Sequence, residues 1–278
     1  MFEGRKLVIA TKHQKEQVLS PLLSHSLGVH VIVPTNLDTD LLGTFSGEVE
    51  RKYDPLTTAR LKCQWAMDLT NCDLAVASEG SFGSHPAAFF LPANEEWLLL
   101  VDRKNDLEIY SRHLSTETNF GSCKFHSLEE LEEFSHKASF PSHGLILRPG
   151  RDSVDDLFKG IRESHFLREK ASFLLEKYGF GFVETDMRAF MNPTRMRIIQ
   201  ETAEKLLRKI LCSCPSCQMP GFAVTEAVQG LLCEWCRTPT RSILKHRLVC
   251  SHCGHEQEVL HPNGKSTEDP MYCDCCNP

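Results

Sequence analysis

Short apolar runs alternate with helical patterns over the first 150 residues of the chain. The runs KLVIAT (6–11) and VHVIVP (29–34) predict buried strands, and the segment between them predicts a helix that ends at Gly28. Three further apolar runs predict strands at 72–78, 96–103 and 143–150. Alternation of strands and helices is typical of an α/β domain.

Another helix is predicted over residues 54–69. Asp54 suits the N-cap, and the proline after it suits the first helical position. Ala59, Cys63 and Ala66 recur with i, i+4, i+7 spacing, so we expect them to form the face that packs on the core.

The pattern changes twice after residue 150. Amphipathic periodicity over 154–179 and 195–211 predicts two helices, so we interpret 151–210 as a helical connector. From residue 211 the helical periodicity fades, and cysteine, proline and glycine become frequent. We therefore predict an α/β domain over 1–150, the connector, and a small cysteine-rich domain over 211–278.

Composition narrows the class of protein. The chain has 278 residues, of which 41% are hydrophobic and 24% charged, as is ordinary for a globular protein. Its apolar runs are far shorter than the roughly 20 residues that a membrane span needs. At the N-terminus the short run LVIA stands between charges, unlike a secretory signal. We therefore expect a cytoplasmic protein with no membrane association.

Ten of the 13 cysteines lie between Cys212 and Cys276. Eight of them form four Cys-x-x-Cys pairs, with spacing typical of zinc ribbons. The pairs are Cys214/Cys217, Cys233/Cys236, Cys250/Cys253 and Cys273/Cys276. Eight thiolates are enough for two closed four-cysteine sites, so we predict a double zinc ribbon that holds two structural zinc ions.

Two pairings of these motifs are open. Sequential pairing, in which the first motif joins the second and the third joins the fourth, is the simpler expectation. The alternative is interleaved, with the first motif joining the third and the second joining the fourth. Cys212 and Cys275 are further thiols that could take ligand positions. Residues 211–278 carry five basic and seven acidic side chains, so a protein partner suits this tail better than RNA.

A polar turn follows the first predicted strand. Thr11, His13 and Lys15 lie at the start of the next helix. Helix-terminal amides and a lysine both favour an anion, so this turn is a candidate phosphate loop.

Acidic residues mark the segment before the helix at 54–69 and the end of the strand at 72–78. The candidates are Glu48, Glu50, Asp54 and Glu79. Gly80 and Gly83 follow the last of these, and glycines allow close approach of a substrate's phosphates. Carboxylates beside a lysine-bearing phosphate loop suit a magnesium–nucleotide site, because Mg²⁺ takes a few carboxylates together with phosphate oxygens. A solvated loop with a helix cap is the alternative interpretation of the segment around Asp54.

The order of three motifs over about residues 5–150 resembles the inosine/xanthosine triphosphate pyrophosphatase superfamily, which removes non-standard purine nucleotides. The motifs are VIATKHQK, DPLTTARLK and DLAVASEGSFG. Two positions depart from the family pattern: His13 stands where the family has asparagine, and Lys15 comes one residue early. The resemblance implies a mixed sheet of the type found in that family.

The resemblance also implies roles for individual residues. Glu79 would bind Mg²⁺ or orient the attacking water, and Glu50 or Asp54 would supply a second metal carboxylate. Lys15 and Lys62 would bind phosphates. The remaining candidates for substrate contacts are Thr11, His13, Gly80 and Ser81.

These observations support two hypotheses of different kinds. The first is a magnesium-dependent nucleoside-triphosphate pyrophosphatase or related nucleotide phosphohydrolase. The second is a non-catalytic protein whose zinc ribbon contacts a protein or RNA partner; a homodimer is a further open arrangement. Arg188 and Arg195 either complete an anion site or form buried polar links, and we favour the links.

Overall fold

The computed structural model describes residues 1–42 and 52–278. The chain divides into two compact units, Met1–Leu206 and Leu207–Pro278. Within the described ranges, no helix combines the length and apolar character needed to cross a bilayer.

The first unit begins with a five-stranded mixed sheet. Its strands are β1 (Lys6–Ala10), β2 (His30–Ile32), β3 (Leu74–His85), β4 (Ala88–Asp102) and β5 (Leu107–Ser115), in the order β2-β1-β3-β4-β5. The first three strands of that order are parallel, and β4 and β5 are antiparallel additions. A mixed α/β architecture is therefore confirmed.

Two helices provide apolar faces for this sheet. Helix α1 (Glu16–Leu27) buries Leu19, Leu23 and Leu27 at i, i+4 spacing and ends at Gly28, which has the left-handed backbone that favours glycine. Helix α2 (Pro55–Thr70) packs its predicted apolar face against β1 and β3. The predicted cap is also confirmed, because Asp54 Oδ1 accepts from the backbone N–H groups of Leu56 and Thr57 at 3.0 Å each.

Strand β3 is longer than the sequence pattern suggests. The apolar run ends at Ser78, but the strand continues to His85 because β4 pairs with it over the whole length. Glu79 therefore lies within a strand, opposite Trp97, and the expectation that it sits at a strand end is wrong. Strand β1 pairs with β3 only as far as Ala77, so the sheet loses one strand immediately before Glu79.

A second sheet crosses the predicted boundary at residue 150. Its strands are β6 (Ser122–Phe125), β7 (Leu145–Arg148), β8 (Phe158–Ile161) and β9 (Gly181–Thr185), in the order β6-β9-β7-β8. Two of these strands come from the segment interpreted as a helical connector, so that interpretation and the boundary are corrected. The predicted helix over 154–179 is shorter, because its first part pairs with β7 as a strand.

The described residues form three further α-helices: α3 (Leu128–Lys137), α4 (Ser164–Tyr178) and α5 (Pro193–Leu211). Short 3₁₀ turns lie at Thr39–Leu42, Ala189–Met191 and Pro270–Tyr272. Helices α3 and α4 cover the second sheet, where Phe125, Leu145 and Val183 form the buried centre.

The second unit contains a small antiparallel sheet of β10 (Ala223–Gln229), β11 (Ile243–Val249) and β12 (Glu256–Leu260). None of the residues in these strands is buried. The buried positions of this unit are instead concentrated at the cysteine motifs.

Candidate functional site

Polar side chains meet where β1 ends. Lys15, at the start of α1, donates from Nζ to Ser78 Oγ at 2.8 Å and to the Ser78 carbonyl oxygen at 3.3 Å. Lys15 and Thr11 are both buried, with 6% of each residue exposed. The Thr11 hydroxyl has no hydrogen-bond partner within the described chain. The predicted phosphate loop is thus folded against β3.

Glu79 and Lys62 form a buried ion pair beside this loop. Their side chains are only 7% and 10% exposed. Because side chains alternate along a strand, Glu79 points to the face that carries α2, whereas its neighbour Ser78 points to the face that carries α1. Lys15 and Lys62 therefore approach the same edge of β3 from opposite faces, at the point where β1 no longer covers it.

A second buried ion pair joins α5 to β4. It lies beside Gly80, the residue after Glu79 on β3. Arg195 of α5 donates from Nε to Glu96 Oε1 at 2.7 Å and from Nη1 to the Met187 carbonyl oxygen at 2.5 Å. Both charged side chains are fully buried. Gly80 makes this possible, since a Cβ there would lie 2.5 Å from both Arg195 Nη2 and Glu96 Oε1.

Burial changes the ionisation of Lys15. Desolvation lowers its pKa from 10.5 to about 7, and the positive charge of Arg195 acts in the same direction. The carboxylates of Glu96 and Glu79 oppose this shift. Both hydrogen bonds of the ammonium go to the neutral residue Ser78, and no described carboxylate lies within ion-pair distance of it. Lys15 is therefore a buried amino group without an ion-pair partner among the described residues.

The other residues that the sequence predicted for the nucleotide site have different surroundings. His13 stacks on Phe190 with ring centroids 5.7 Å apart. Ser81 donates to Glu95 Oε2 at 3.4 Å. Asp54 is engaged as the cap of α2, which lowers the pKa of its carboxyl through hydrogen bonds from Thr57. Glu48 and Glu50 lie outside the described residues.

The two arginines do not form one site. Arg188 pairs with the buried carboxylate of Asp186 at 2.5 Å and packs over the Phe190 ring. Arg195 pairs with Glu96 instead. Both therefore make polar links inside the first unit, in keeping with the interpretation favoured from the sequence.

Two residues of this buried polar cluster were not singled out by the sequence analysis. Glu96 precedes the apolar run WLLLV, so a carboxylate at one end of a buried strand, the feature that drew attention to Glu79, could have identified it. Asn94 lies two residues earlier on the same face of β4. It is 1% exposed, and neither polar atom of its side chain has a described hydrogen-bond partner. Nothing in the local sequence distinguishes this asparagine.

The cysteine motifs of the second unit form two groups. One contains Cys214, Cys217, Cys250 and Cys253, and the other contains Cys233, Cys236, Cys273 and Cys276. The first motif thus joins the third and the second joins the fourth. The simpler expectation of sequential pairing is wrong, and the interleaved alternative is correct. Cys212 and Cys275 belong to neither group.

The sulfur positions match tetrahedral coordination of one ion in each group. All ligand atoms of a group lie within 4.8 Å of one another. Four cross-motif Sγ–Sγ distances are 3.7, 3.6, 3.9 and 3.5 Å. A tetrahedron with zinc–sulfur bonds of about 2.3 Å has edges of about 3.8 Å. Each group can therefore hold one zinc ion with four thiolates and no open position.

The backbone of each motif explains why the thiols converge. In all four motifs the residue after the second cysteine donates its N–H to the carbonyl oxygen of the first cysteine, at 2.9, 3.1, 2.9 and 2.8 Å. Three of these residues, Gln218, Arg237 and Gly254, have left-handed backbones. At the second centre the Thr238 hydroxyl lies 2.7 Å from Cys236 Sγ and lowers the pKa of that thiol to about 6, which favours the thiolate that binds metal.

The chain thus combines a mixed α/β unit, which carries a buried cluster of charges, with a unit that carries two four-cysteine metal-binding centres. The model of a family described as a domain of unknown function (DUF6671) matches residues 62–278, and the chain belongs to this family. The matched range begins at Lys62 and includes both buried ion pairs and all eight clustered cysteines. Comparison with curated proteins finds no match.

Proposed function

We propose that the first unit is a metal-dependent hydrolase of phosphoric anhydride bonds in nucleotides, with structural zinc in the second unit. The observation that carries this proposal is the state of Lys15. It is a buried amino group with no ion-pair partner in the described chain, and it lies at the same strand end as the Thr11 hydroxyl, which has no hydrogen-bond partner there. An anionic ligand with several oxygens would satisfy both groups, because it can accept from an ammonium and from a hydroxyl.

The charges around Lys15 favour a phosphate over a carboxylate ligand. Three cations and two carboxylates belong to the cluster, and the carboxylates are engaged by Lys62 and Arg195. Protonated Lys15 therefore leaves the cluster with one excess positive charge. A multiply charged phosphate would also keep Lys15 protonated, since a nearby negative charge raises the pKa of a lysine.

Glu79 is the carboxylate best placed to act on a bound phosphate. It lies at the uncovered edge of β3, next to the loop that would hold the ligand. In the free protein its charge is held by Lys62, which would turn to the phosphate when substrate binds. Glu79 is then released to hold Mg²⁺ or to accept the proton of the attacking water. When bound, Mg²⁺ would neutralise the charge that develops on the phosphoryl oxygens.

Turnover of a nucleotide panel tests this proposal. The zinc-loaded protein is incubated with Mg²⁺ and nucleoside triphosphates, including inosine and xanthosine triphosphate, and the release of pyrophosphate and of phosphate is measured separately. We expect turnover of at least one nucleotide, and loss of it in Thr11→Val. This variant removes a hydroxyl that makes no hydrogen bond with the described residues, so the melting temperature should stay close to that of the wild type.

Two further variants separate chemistry from folding. Glu79→Gln leaves Lys62 buried without its partner and costs stability, so it is compared with Glu79→Gln/Lys62→Met, in which the pair is neutral. Both should be inactive, whereas Glu108→Gln, at an exposed residue of β5 paired with Arg60, should retain activity. Absence of turnover together with absence of any nucleotide-induced shift in melting temperature would refute the proposal.

A further inference from the structure

The second metal centre presents an exposed tryptophan. Trp235 lies between the two ligands Cys233 and Cys236, and 76% of its surface is exposed. The motif's backbone is fixed by the hydrogen bond from the Arg237 N–H to the Cys233 carbonyl oxygen at 3.1 Å. Trp235 therefore presents a large apolar side chain to solvent between two cysteines of one centre.

Other apolar side chains extend this surface. Trp235 and Met271 line one groove, together with Glu234 and Asp269. Met271 and the adjacent Tyr272 are 60% and 61% exposed. Their turn begins at Asp269, whose carboxylate caps it by accepting from the Met271 N–H at 2.8 Å. We call Glu234, Trp235, Asp269, Met271 and Tyr272 the Trp235 surface.

Ion pairing leaves a local excess of negative charge at this surface. Within residues 211–278, four of the five basic residues pair with five of the seven acidic residues. The pairs are Arg241–Asp274, Lys245–Glu258, Arg247 with Glu226 and Glu256, and Lys265–Glu268. Glu234, Asp269 and Arg237 make no ion pair in the described chain. Both carboxylates line the Trp235 groove, whereas Arg237 is not among its lining residues. Zinc held by four thiolates would add two negative charges beside them.

The first metal centre serves as an internal comparison. Its motifs carry Pro215-Ser216 and Ser251-His252 between their cysteines, and the position equivalent to Trp235 is Ser216. Metal binding therefore does not require an aromatic residue at this position. The exposed indole also does not serve the core of the unit, since most of it is in contact with solvent.

We propose that the Trp235 surface binds a lysine- or arginine-bearing segment of a partner protein. The cation would lie over the face of the indole, where the ring attracts positive charge. The carboxylates of Glu234 and Asp269 would accept its hydrogen bonds, and Met271 would contact the aliphatic part of its side chain. A nucleic acid is disfavoured, because the same carboxylates and the thiolate centre repel phosphates.

A peptide array tests the proposal with the full-length, zinc-loaded protein. The probe is an array of random 12-residue peptides, read at low and high salt, with polyuridine RNA as a separate ligand. We expect bound peptides to be enriched in lysine and arginine, and Trp235→Ala to weaken their binding about tenfold or more. Glu234→Gln/Asp269→Asn should weaken binding several-fold and reduce its dependence on salt.

Controls distinguish a binding surface from damage to the metal centre. Ser216→Ala, at the equivalent position of the first centre, should bind peptides as the wild type does. Zinc content and melting temperature should be unchanged in Trp235→Ala. The proposal is overturned if the array binds no peptides, if the bound peptides show no basic enrichment, if Trp235→Ala binds them equally well, or if polyuridine binds more tightly than they do.

Discussion

The two units of this chain bury different kinds of groups. The first unit has an aliphatic core, in which Leu7, Ile9, Leu98, Leu99 and Leu100 have no exposed surface. The buried core residues of the second unit are four apolar side chains and four cysteines of the candidate metal centres. They are Leu207, Ile210, Phe222, Leu231, Cys214, Cys233, Cys250 and Cys273. The apolar core of this unit is small, so we expect it to depend on metal coordination where the first unit depends on apolar burial.

The comparison also explains where each unit can hold charge. A large apolar core can stabilise a fold that contains buried ion pairs, which by themselves contribute little net stability. The first unit accordingly contains Glu79–Lys62 and Glu96–Arg195 and, beside them, the buried amino group of Lys15, which makes no ion pair with the described residues. In the second unit most ion pairs lie at the surface. The exception is the pair of the buried Glu268 with the exposed Lys265, and the other buried polar groups are Thr240 and cysteines of the metal centres.

Removing the metal should produce the largest difference between the two units. Structural zinc contributes apparent binding free energies of about 10–16 kcal/mol, and such sites rarely persist without the ion. With a chelator and a reducing agent, we expect amides of β10, β11 and β12 to lose protection from hydrogen exchange. Amides of β1, β3 and β4 should keep theirs, because their core contains no metal ligand. Loss of protection in both sets of amides, or in neither, would contradict the proposal that only the second unit depends on metal.

Breaking a buried ion pair should have the next largest effect. Arg195→Met leaves Glu96 buried without its partner and should lower the free energy of unfolding by about 3–5 kcal/mol. The double variant Arg195→Met/Glu96→Gln should recover much of this loss. Arg197→Met is the matched control two residues further along α5, since Arg197 and Glu117 form an exposed pair worth less than about 1 kcal/mol. The free energy of unfolding is measured by chemical denaturation, followed through a spectroscopic signal of the first unit. Equal losses of this free energy in Arg195→Met and Arg197→Met would contradict the account.

Lys15 should give the smallest of these effects and the one with a characteristic pH dependence. Between about pH 7 and pH 10 the folded protein holds this side chain neutral, while the unfolded chain holds it protonated. The unfolded state therefore binds the additional proton, and stability rises with pH across this window.

A comparison of wild type with Lys15→Met isolates that contribution. The wild type should gain up to about 2–3 kcal/mol more than the variant between pH 6 and pH 9. Denaturation midpoints of both proteins at the two pH values provide the measurement, and pH effects at the thiols cancel in the difference. An identical pH response of the two proteins would show that burial does not lower the pKa of Lys15.

Local signals predicted the parts of the fold that local chemistry decides. Asp54 followed by proline predicted the start of α2, and Gly28 predicted the end of α1; both are confirmed. The four Cys-x-x-Cys motifs likewise predicted two complete thiol groups. Their pairing depends on how β10, β11 and β12 bring distant segments together, and sequence spacing alone does not contain that information.

The missed parts of the candidate site depend on long-range pairing. Glu96 of β4 and Arg195 of α5 are 99 positions apart in the chain, so no local pattern predicts their ion pair. The extension of β3 beyond Ser78 likewise comes from β4 rather than from its own apolar pattern. By contrast, Thr11, Lys15, Lys62 and Glu79 were identified individually, and the structure brings them to one end of the sheet. The nucleotide and the magnesium ion remain proposals that rest on this placement.

Zinc content of paired cysteine variants tests the organisation of the second unit most directly. The wild type should bind two zinc ions per chain. Cys214→Ser/Cys250→Ser removes two ligands from one centre, so one zinc ion should remain. Cys214→Ser/Cys233→Ser damages both centres, so little zinc should remain. The opposite outcome, one ion retained by Cys214→Ser/Cys233→Ser and none by Cys214→Ser/Cys250→Ser, would show sequential pairing and contradict the account.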